Sequence, residues 1–370
     1  MRSIERGVQH ESLEAVVGSI ASAYGFVDTP VALSNKTPQQ QTPTDTDKTT
    51  SDIAVLADTL IAAKEVTQSW GISRHGTSST VVFAITSPKH AIAQAFVVKA
   101  SLAVVESAGF SDATVLISSI GDQESRRRFN RELGNFFKKN AKAIPEHIVD
   151  TAQKSPEDAM KLLVDEEHEL VDSLPRSIDF LSESSRKIML ETISLFESLN
   201  ITYELAPRLD ATAGVHNEIL FAIEASDKKG ERVRLAMGGR FDEYTKKKGD
   251  ATEIVGMGVS VPEKIDSRIA RSSVDTPACF VVHIGEAAKI KAFGLLDSLL
   301  RSRIALGQAI LASTMQEQME LAKSSGAKYV SVIGHREALD DTVILRNLTT
   351  QIQEVIPIQK LPARMSRVRV

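Results

Sequence analysis

Apolar positions change their spacing several times along this chain. Leu13, Val16, Val17, Ile20 and Ala21 recur at helical intervals and predict a helix from about Glu11 to Tyr24, stopped by Gly25. Residues 32–52 (ALSNKTPQQQTPTDTDKTTSD) carry few large apolar groups. Such a stretch cannot bury enough surface to offset its ordering entropy, so it reads as a disordered loop. A second helix is expected over about Asp52 to Trp70, then a turn-rich segment from Gly71 to Ser79. Thr80–Thr86 (TVVFAIT) predicts a strand, 89–108 a helix and 113–119 another strand. The stretch 116–139, LISSIGDQESRRRFNRELGNFFKK, reads as strand, Gly-Asp turn and basic helix, and residues 122–200 are mainly helical in pattern.

Strands return at 219–224 and 232–237. Asp227–Gly230 between them is a hairpin signal and makes the pair antiparallel, and Gly238-Gly239 reads as the turn that follows. A Ser-rich and charged linker is expected over 266–277. After it come ACFVVHI, a helix over 286–302, ALGQAIL, a helix over 314–324, KYVSVIG, TVILRNL and QEVIPI, the alternation of a small α/β module. A chain of 370 residues exceeds one ordinary core. The expected division is 1–268, with a helical insertion at about 122–175, and 277–370.

Composition narrows the class. Apolar content of 42% and charged content of 25% fit a soluble globular protein, and no run of about 18 uncharged apolar residues suggests a membrane helix. The N-terminus lacks the apolar centre of a secretion signal, and Cys279 is the single cysteine, so a cytoplasmic setting is expected. From Pro277 onward 12 Lys and Arg face 8 Asp and Glu, a net of +4, which leaves −8 for residues 1–276. A basic module on an acidic body is compatible with a phosphate-rich partner. A second basic stretch holds Arg126, Arg127, Arg128, Arg131, Lys138, Lys139 and Lys142; taken alone, such a run is usually a solvated helix face. No metal site is expected. Consecutive helical residues in DEEHE (165–169) cannot all face one ion, and His216 with Glu218 falls short of three or four ligands.

Several segments, in order and at matching spacing, resemble the histidyl-tRNA synthetase family. They are 116–139, the stretch LPRSIDFLSESSRKIMLETISLFESLNITYELAPRL (174–209), LAMGGRFDEY (235–244) and the span GAKYVSVIGHREALDDTVILRNLTTQIQEVIPIQKL near the C-terminus. The resemblance covers most of residues 80–370. It implies an α+β fold: a class II synthetase-like antiparallel sheet with a helical insertion, then an anticodon-binding-type α/β domain. It also implies a homodimer, and ATP and Mg as reaction partners if the chain is a ligase.

The departures from the family bear on chemistry. Attack of a carboxylate on the α-phosphate of ATP brings two anionic groups together, so the site must supply fixed positive charge, usually arginine. The family's motif-2 Arg-x-Glu pair has no counterpart here, and Arg74 is the nearest candidate. Where the family reads RGLDYYT, residues 211–217 read ATAGVHN, with Ala211 at the arginine position and Val215 and His216 at the tyrosine pair. The motif-3 arginine falls in GVSVPEKI, where only Lys264 is near. Loss of a single transition-state donor costs on the order of 100- to 1000-fold. The expectation is therefore a family member that is not a catalyst and needs no cofactor. Gly238, Gly239, Arg240, Asp242 and His216 would be the remnant of a ligand pocket, with Arg240 and Asp242 paired. It would act by binding tRNA or a protein partner. The candidate tRNA-contacting residues are Arg126, Arg127, Arg128, Arg131, Lys138, Lys139, Arg364, Arg367 and Arg369. The alternatives are a genuine histidine–tRNA ligase with a divergent site, a regulatory subunit resembling that of ATP phosphoribosyltransferase, and a dimeric scaffold with no nucleic-acid role.

Overall fold

The computed structural model describes residues 12–28, 45–63, 68–75, 78–86, 91–206, 209, 215–262, 276–312 and 314–367. The chain order is α1 (Leu13–Ala23), β1 (Val27–Asp28), α2 (Asp45–Ala63), β2 (Gln68–His75), β3 (Ser78–Thr86), α3 (Ala91–Ser107), β4 (Ser111–Gly121), α4 (Gln123–Asn140), α5 (Glu146–Lys154) and α6 (Pro156–Asp165). Then come α7 (Glu183–Ser198), β5 (Tyr203–Leu205), β6 (Asn217–Ser226), β7 (Arg232–Arg240), α8 (Asp242–Lys247) and β8 (Ile254–Pro262). The C-terminal part holds β9 (Cys279–His283), α9 (Glu286–Arg301), β10 (Leu306–Gln308), α10 (Met315–Ser324), β11 (Tyr329–Ile333), α11 (His335–Asp340), β12 (Thr342–Asn347), β13 (Gln353–Pro357) and α12 (Leu361–Met365).

Strands β1 to β8 form one sheet in the order β1-β2-β3-β8-β7-β6-β4-β5. Its neighbours are antiparallel except at the two edges, where β1 runs parallel to β2 and β5 to β4. Both faces of β3 are covered, which explains its unbroken apolar run. Val81, Phe83 and Ile85 join the main core with residues of α1 and α3. Val82 and Ala84 face the other way and meet Ile53, Leu56, Ala57 and Leu60 of α2. The second sheet runs β10-β9-β11-β12-β13. The helices α4, α5 and α6 carry their own cluster, built on Phe129, Leu133, Phe137, Ile148 and Leu163.

The turn into α4 follows from two residues. Gly121 takes φ +66°, where a side chain would collide with Ser125. Asp122 then caps the helix, its carboxylate accepting from the Ser125 amide at 2.9 Å. The hairpin at Asp227 closes similarly, with Asp227 Oδ1 accepting from the amides of Lys229 and Glu231.

Four expectations need correction. The loop expected over 32–52 is helical from Asp45 onward, while 29–44 lie outside the described residues. Gln68–His75 is a strand rather than helix end and turn: Trp70 and Ile72 alternate toward the core, and Trp70 lies opposite Phe83. Gly and Ser between them hid this period-two pattern. Gly238-Gly239 is the middle of β7 rather than a turn. Residues 166–169 do not continue α6, which ends at Asp165. The linker expected over 266–277 lies almost wholly outside the described residues.

The glycines of β7 serve strand approach. A Cβ on Gly238 would press on the Gly256 carbonyl and lie 2.6 Å from Met257 Cα, and one on Gly239 would lie 2.5 Å from the Ile219 carbonyl oxygen. Gly256 in turn makes room for Ile53 of α2, whose Cγ2 would stand 2.6 Å from an added Cβ. Gly238→Ala should therefore destabilise the chain by about 1–3 kcal/mol, the usual scale of overpacking. A urea melt checks it: an unchanged midpoint would mean that β7 and β8 can part without loss.

Candidate functional site

At the end of β7 the sheet gathers a set of polar groups around a buried ion pair. Arg240 and Asp242 are both wholly buried. Arg240 Nε donates to Asp242 Oδ2 at 2.9 Å and its Nη2 donates to Oδ1 at 3.2 Å. Glu253 stands 3.6 Å from Arg240 Nη2. Asp242 also accepts from Asn217 Nδ2 at 2.9 Å and from the Ile254 amide at 3.0 Å, and its own amide donates to Asn217 Oδ1. One carboxylate thus ties together the start of β6, the end of β7, the first turn of α8 and the start of β8. Beside it, His216 is buried and packs edge-on against Phe241 at 4.8 Å. Burial, reinforced by the nearby positive charges of Lys161 and Arg126, lowers the imidazole pKa from 6.5 to about 4.

The expected pairing of Arg240 with Asp242 is present, with His216 nearby against Phe241, while Gly238 and Gly239 face β8 and β6. The nearby cavity, about 500 Å³, is lined by Asp122, Gln123, Asn217, Glu218, Glu243, Lys246 and Lys247. Among these described residues three are carboxylates and two are lysines, and none is an arginine. Ala211 and Lys264 lie outside the described residues. Arg74, on β2, forms an ion pair with Glu14 of α1. Among the described residues no group of three carboxylates, imidazoles or thiols is placed to hold a metal ion.

Asp122, at the cavity rim, is held in place by α4 and α7 together. Burial opposes its ionisation, but hydrogen bonds from the Ser125 amide and hydroxyl, Ser182 and Ser184 outweigh that effect and hold its pKa at about 2. Arg126 closes the next position. Its Nε and Nη2 donate to the two carboxylate oxygens of Glu157 on α6 at 2.8 and 2.6 Å, and its Nη1 donates to Glu243 of α8 at 3.1 Å. Arg126 is therefore committed to joining the helical insertion to the cavity wall. Sequence patterning missed Asp122, Gln123, Glu243, Lys246 and Lys247, and weighed Glu218 only as a metal ligand beside His216. Of these only Asp122 carried a local signal, the helix-capping Gly-Asp.

The other basic candidates are divided. Arg127, Arg128, Arg131, Lys138 and Lys139 are exposed along α4. Arg127, Arg131 and Lys138 share one side of the helix, opposite Phe129, Leu133 and Phe137, which enter the core. Arg128 pairs with Glu124, and Arg131 lies 3.3 Å from Glu132. Arg364 bonds Glu354 at 2.8 Å, Arg367 is exposed and Arg369 lies outside the described residues.

A mostly antiparallel sheet with flanking helices, a helical insertion and a separate mixed sheet at the C-terminus make up a class II synthetase-like fold. Residues 278–367 match the family model described as an anticodon binding domain. The solved histidyl-tRNA synthetase of S. aureus aligns over 99% of this chain and 100% of its own, at 18% identity with a TM-score of 0.50. The histidine–tRNA ligase of Lysinibacillus sphaericus is 27% identical over 278 residues, 73% of this chain and 66% of that protein. That of Bacillus licheniformis is 26% identical over 270 residues, 70% of this chain and 63% of that protein. The chain thus spans a little under two thirds of the length of these curated relatives. These sequence relatives and the solved structure that shares its fold are alike histidyl-tRNA synthetases, at low identity. No helix among the described residues is long and apolar enough to cross a membrane.

Asp242→Ala would leave Arg240 buried without its bidentate partner and should cost about 3–5 kcal/mol; a urea unfolding curve reads this directly. His216 gives a pH-dependent outcome. Its folded pKa lies below its unfolded one, so the unfolded chain takes up a proton near pH 6.5 and the folded chain only near 4. Its contribution is full above pH 6.5 and declines as pH falls toward 4, by up to about 3 kcal/mol. The stability difference between wild type and His216→Gln should shift across that window, and a difference that stays flat from pH 7 to 4 would remove the effect.

Proposed function

We propose that this chain is a non-catalytic member of the histidyl-tRNA synthetase family that acts by binding, with tRNA-type RNA as its partner. One observation carries the reading. The described lining of the cavity beside the family's histidine motifs holds three carboxylates and two lysines, whereas activation of an amino acid with ATP needs arginine donors aimed at phosphate. Lysine does not restore bidentate phosphate contact. Among the described residues, Arg240, Arg126 and Arg74 each hold a carboxylate of the protein itself.

The RNA side of the reading rests on exposed charge. Arg127, Arg131 and Lys138 span twelve residues of α4, about 16 Å along the axis. Backbone phosphates of a folded RNA would meet them as charges rather than as a sequence code. The C-terminal module adds its own net positive charge.

Two measurements test the proposal together. ATP–pyrophosphate exchange with histidine should stay at background; robust exchange would make the chain a ligase with a divergent site. Binding to total tRNA, followed by gel shift across a salt series, should weaken steeply as salt rises. Replacing Arg127, Arg131 and Lys138 by alanine should lower the salt slope by about one for each cation that meets a phosphate. If wild type gives no shift even at low salt, the chain does not bind RNA.

A further inference from the structure

The seam between the core and the C-terminal module is an ordered set of charges and rings. On the core side, α3 presents Phe96, Lys99 and Glu106, all directed at α9. On the module side, α9 presents Phe293, Asp297 and Arg301. Phe96 stacks on Phe293 with centroids 4.3 Å apart and planes 14° apart, and Tyr24, just after α1, meets both rings edge-on at 6.3 Å. Asp297 accepts hydrogen bonds from the Tyr24 hydroxyl and from Lys99 Nζ, one on each carboxylate oxygen. One turn further along α9, Arg301 grips both carboxylate oxygens of Glu106, the Nη2–Oε2 bond measuring 2.6 Å. Gln308 of β10 completes the seam by donating to the Tyr24 carbonyl at 2.9 Å.

The order of charge matters more than the number of pairs. Along α3 the sequence is cation then anion; along α9 it is anion then cation. A slip of α9 by one turn would set Arg301 against Lys99 and leave Asp297 without either partner. The inner pair is also the sheltered one: the side chains of Lys99 and Asp297 are 12% and 27% exposed, against 58% and 42% for Arg301 and Glu106. Screening by salt falls mainly on the outer pair. A cleft of about 450 Å³, lined in part by Ser111, Asn200 and Thr202, runs beside the seam and gives solvent access to that outer end.

We propose that Lys99–Asp297 and Glu106–Arg301 form a charge-keyed clasp that holds the C-terminal module on the core in one register. A fixed orientation makes RNA contacts on the two parts a single binding event; this consequence rests on the RNA reading above. Opening the clasp would turn one rigid bivalent ligand into two tethered weak ones.

The test uses the full chain. Asp297→Lys should raise the radius of gyration in small-angle scattering and increase amide exchange along α3 and α9, while exchange in β6 and β7 stays unchanged. The exchanged pair Lys99→Asp with Asp297→Lys should restore much of the wild-type profile. At the exposed end, Arg301→Glu should loosen the seam more mildly, and Glu106→Arg in the same chain should reverse it. With total tRNA as probe, Asp297→Lys should bind roughly tenfold or more weakly than wild type, and the exchanged pair should recover. Wild-type scattering and exchange in Asp297→Lys, or failure of both exchanged pairs to rescue, would overturn the clasp. Loosened seams with unchanged RNA affinity would overturn the single-event consequence. If wild type binds no tRNA, the functional reading fails while scattering and exchange still decide the clasp.

Discussion

A guanidinium with no access to water must keep its counter-charge, and Arg240 keeps its own at hydrogen-bonding distance in Asp242. Much of the surrounding architecture is arranged around that requirement. Asp242 needs donors beyond the arginine, and it finds them in Asn217 and the Ile254 amide. Those donors come from β6 and β8, so satisfying one charge fixes the relative positions of three strands and of α8. The glycines of β7 and β8 let the strands come close enough for this to happen. A motif that the resemblance associates with ligand recognition has here become a staple of the sheet.

The same pattern recurs at two other arginines. Arg126 spends its guanidinium on Glu157 and Glu243, and Arg74 is paired with Glu14. Glu157 responds accordingly: burial favours its neutral form, but the Arg126 hydrogen bonds and charge prevail and lower its pKa. An arginine already bound bidentately to an internal carboxylate must break those bonds before it can meet a phosphate. A ligand would have to compensate for that loss as well as for its own desolvation. Arginine count is therefore a poor guide to phosphate recognition here. What matters is how firmly each guanidinium is engaged by an internal acid: Arg240 and Arg126 are held in buried or half-buried pairs, whereas Arg131 meets Glu132 only at the surface.

The chain's own residues made part of this legible. Unbroken apolar runs such as TVVFAIT, the Gly-Asp cap before α4, the hairpin at Asp227 and the alternation of the last 94 residues each carry a local physical cause, and each appears in the fold. The strand Gln68–His75 was hidden because Gly71, Ser73 and His75 resemble turn residues; only pairing with β3 reveals that Trp70 and Ile72 share a face. The Gly238-Gly239 pair misled in the same way. Two glycines in series suggest a turn when read locally, whereas close contact with Gly256 and Ile219, far away in sequence, explains them. The cavity lining was not legible for a related reason. Asp122, Glu218 and the α8 pair Glu243 and Lys246 come from three separate segments, and their convergence is a product of sheet order rather than of spacing.

The two parts of the chain meet through side chains as specific as those within either sheet. Aromatic stacking of Phe96 on Phe293 would by itself permit α9 to slide, because apolar contact has little directional preference. The acid of Asp297 removes that freedom, since its two oxygens are claimed from different elements, Tyr24 after α1 and Lys99 on α3. Tyr24 shows the effect of this crowding: burial raises its pKa well above the ordinary value, and the Asp297 carboxylate adds to that shift. A phenol kept protonated remains a donor to Asp297 at any pH the protein would meet. The seam is thus held by a phenol donor and a lysine acting on one carboxylate. The register between core and module is therefore set by groups remote from the Arg240–Asp242 pair, so the sheet's polar staple and the seam can be perturbed separately.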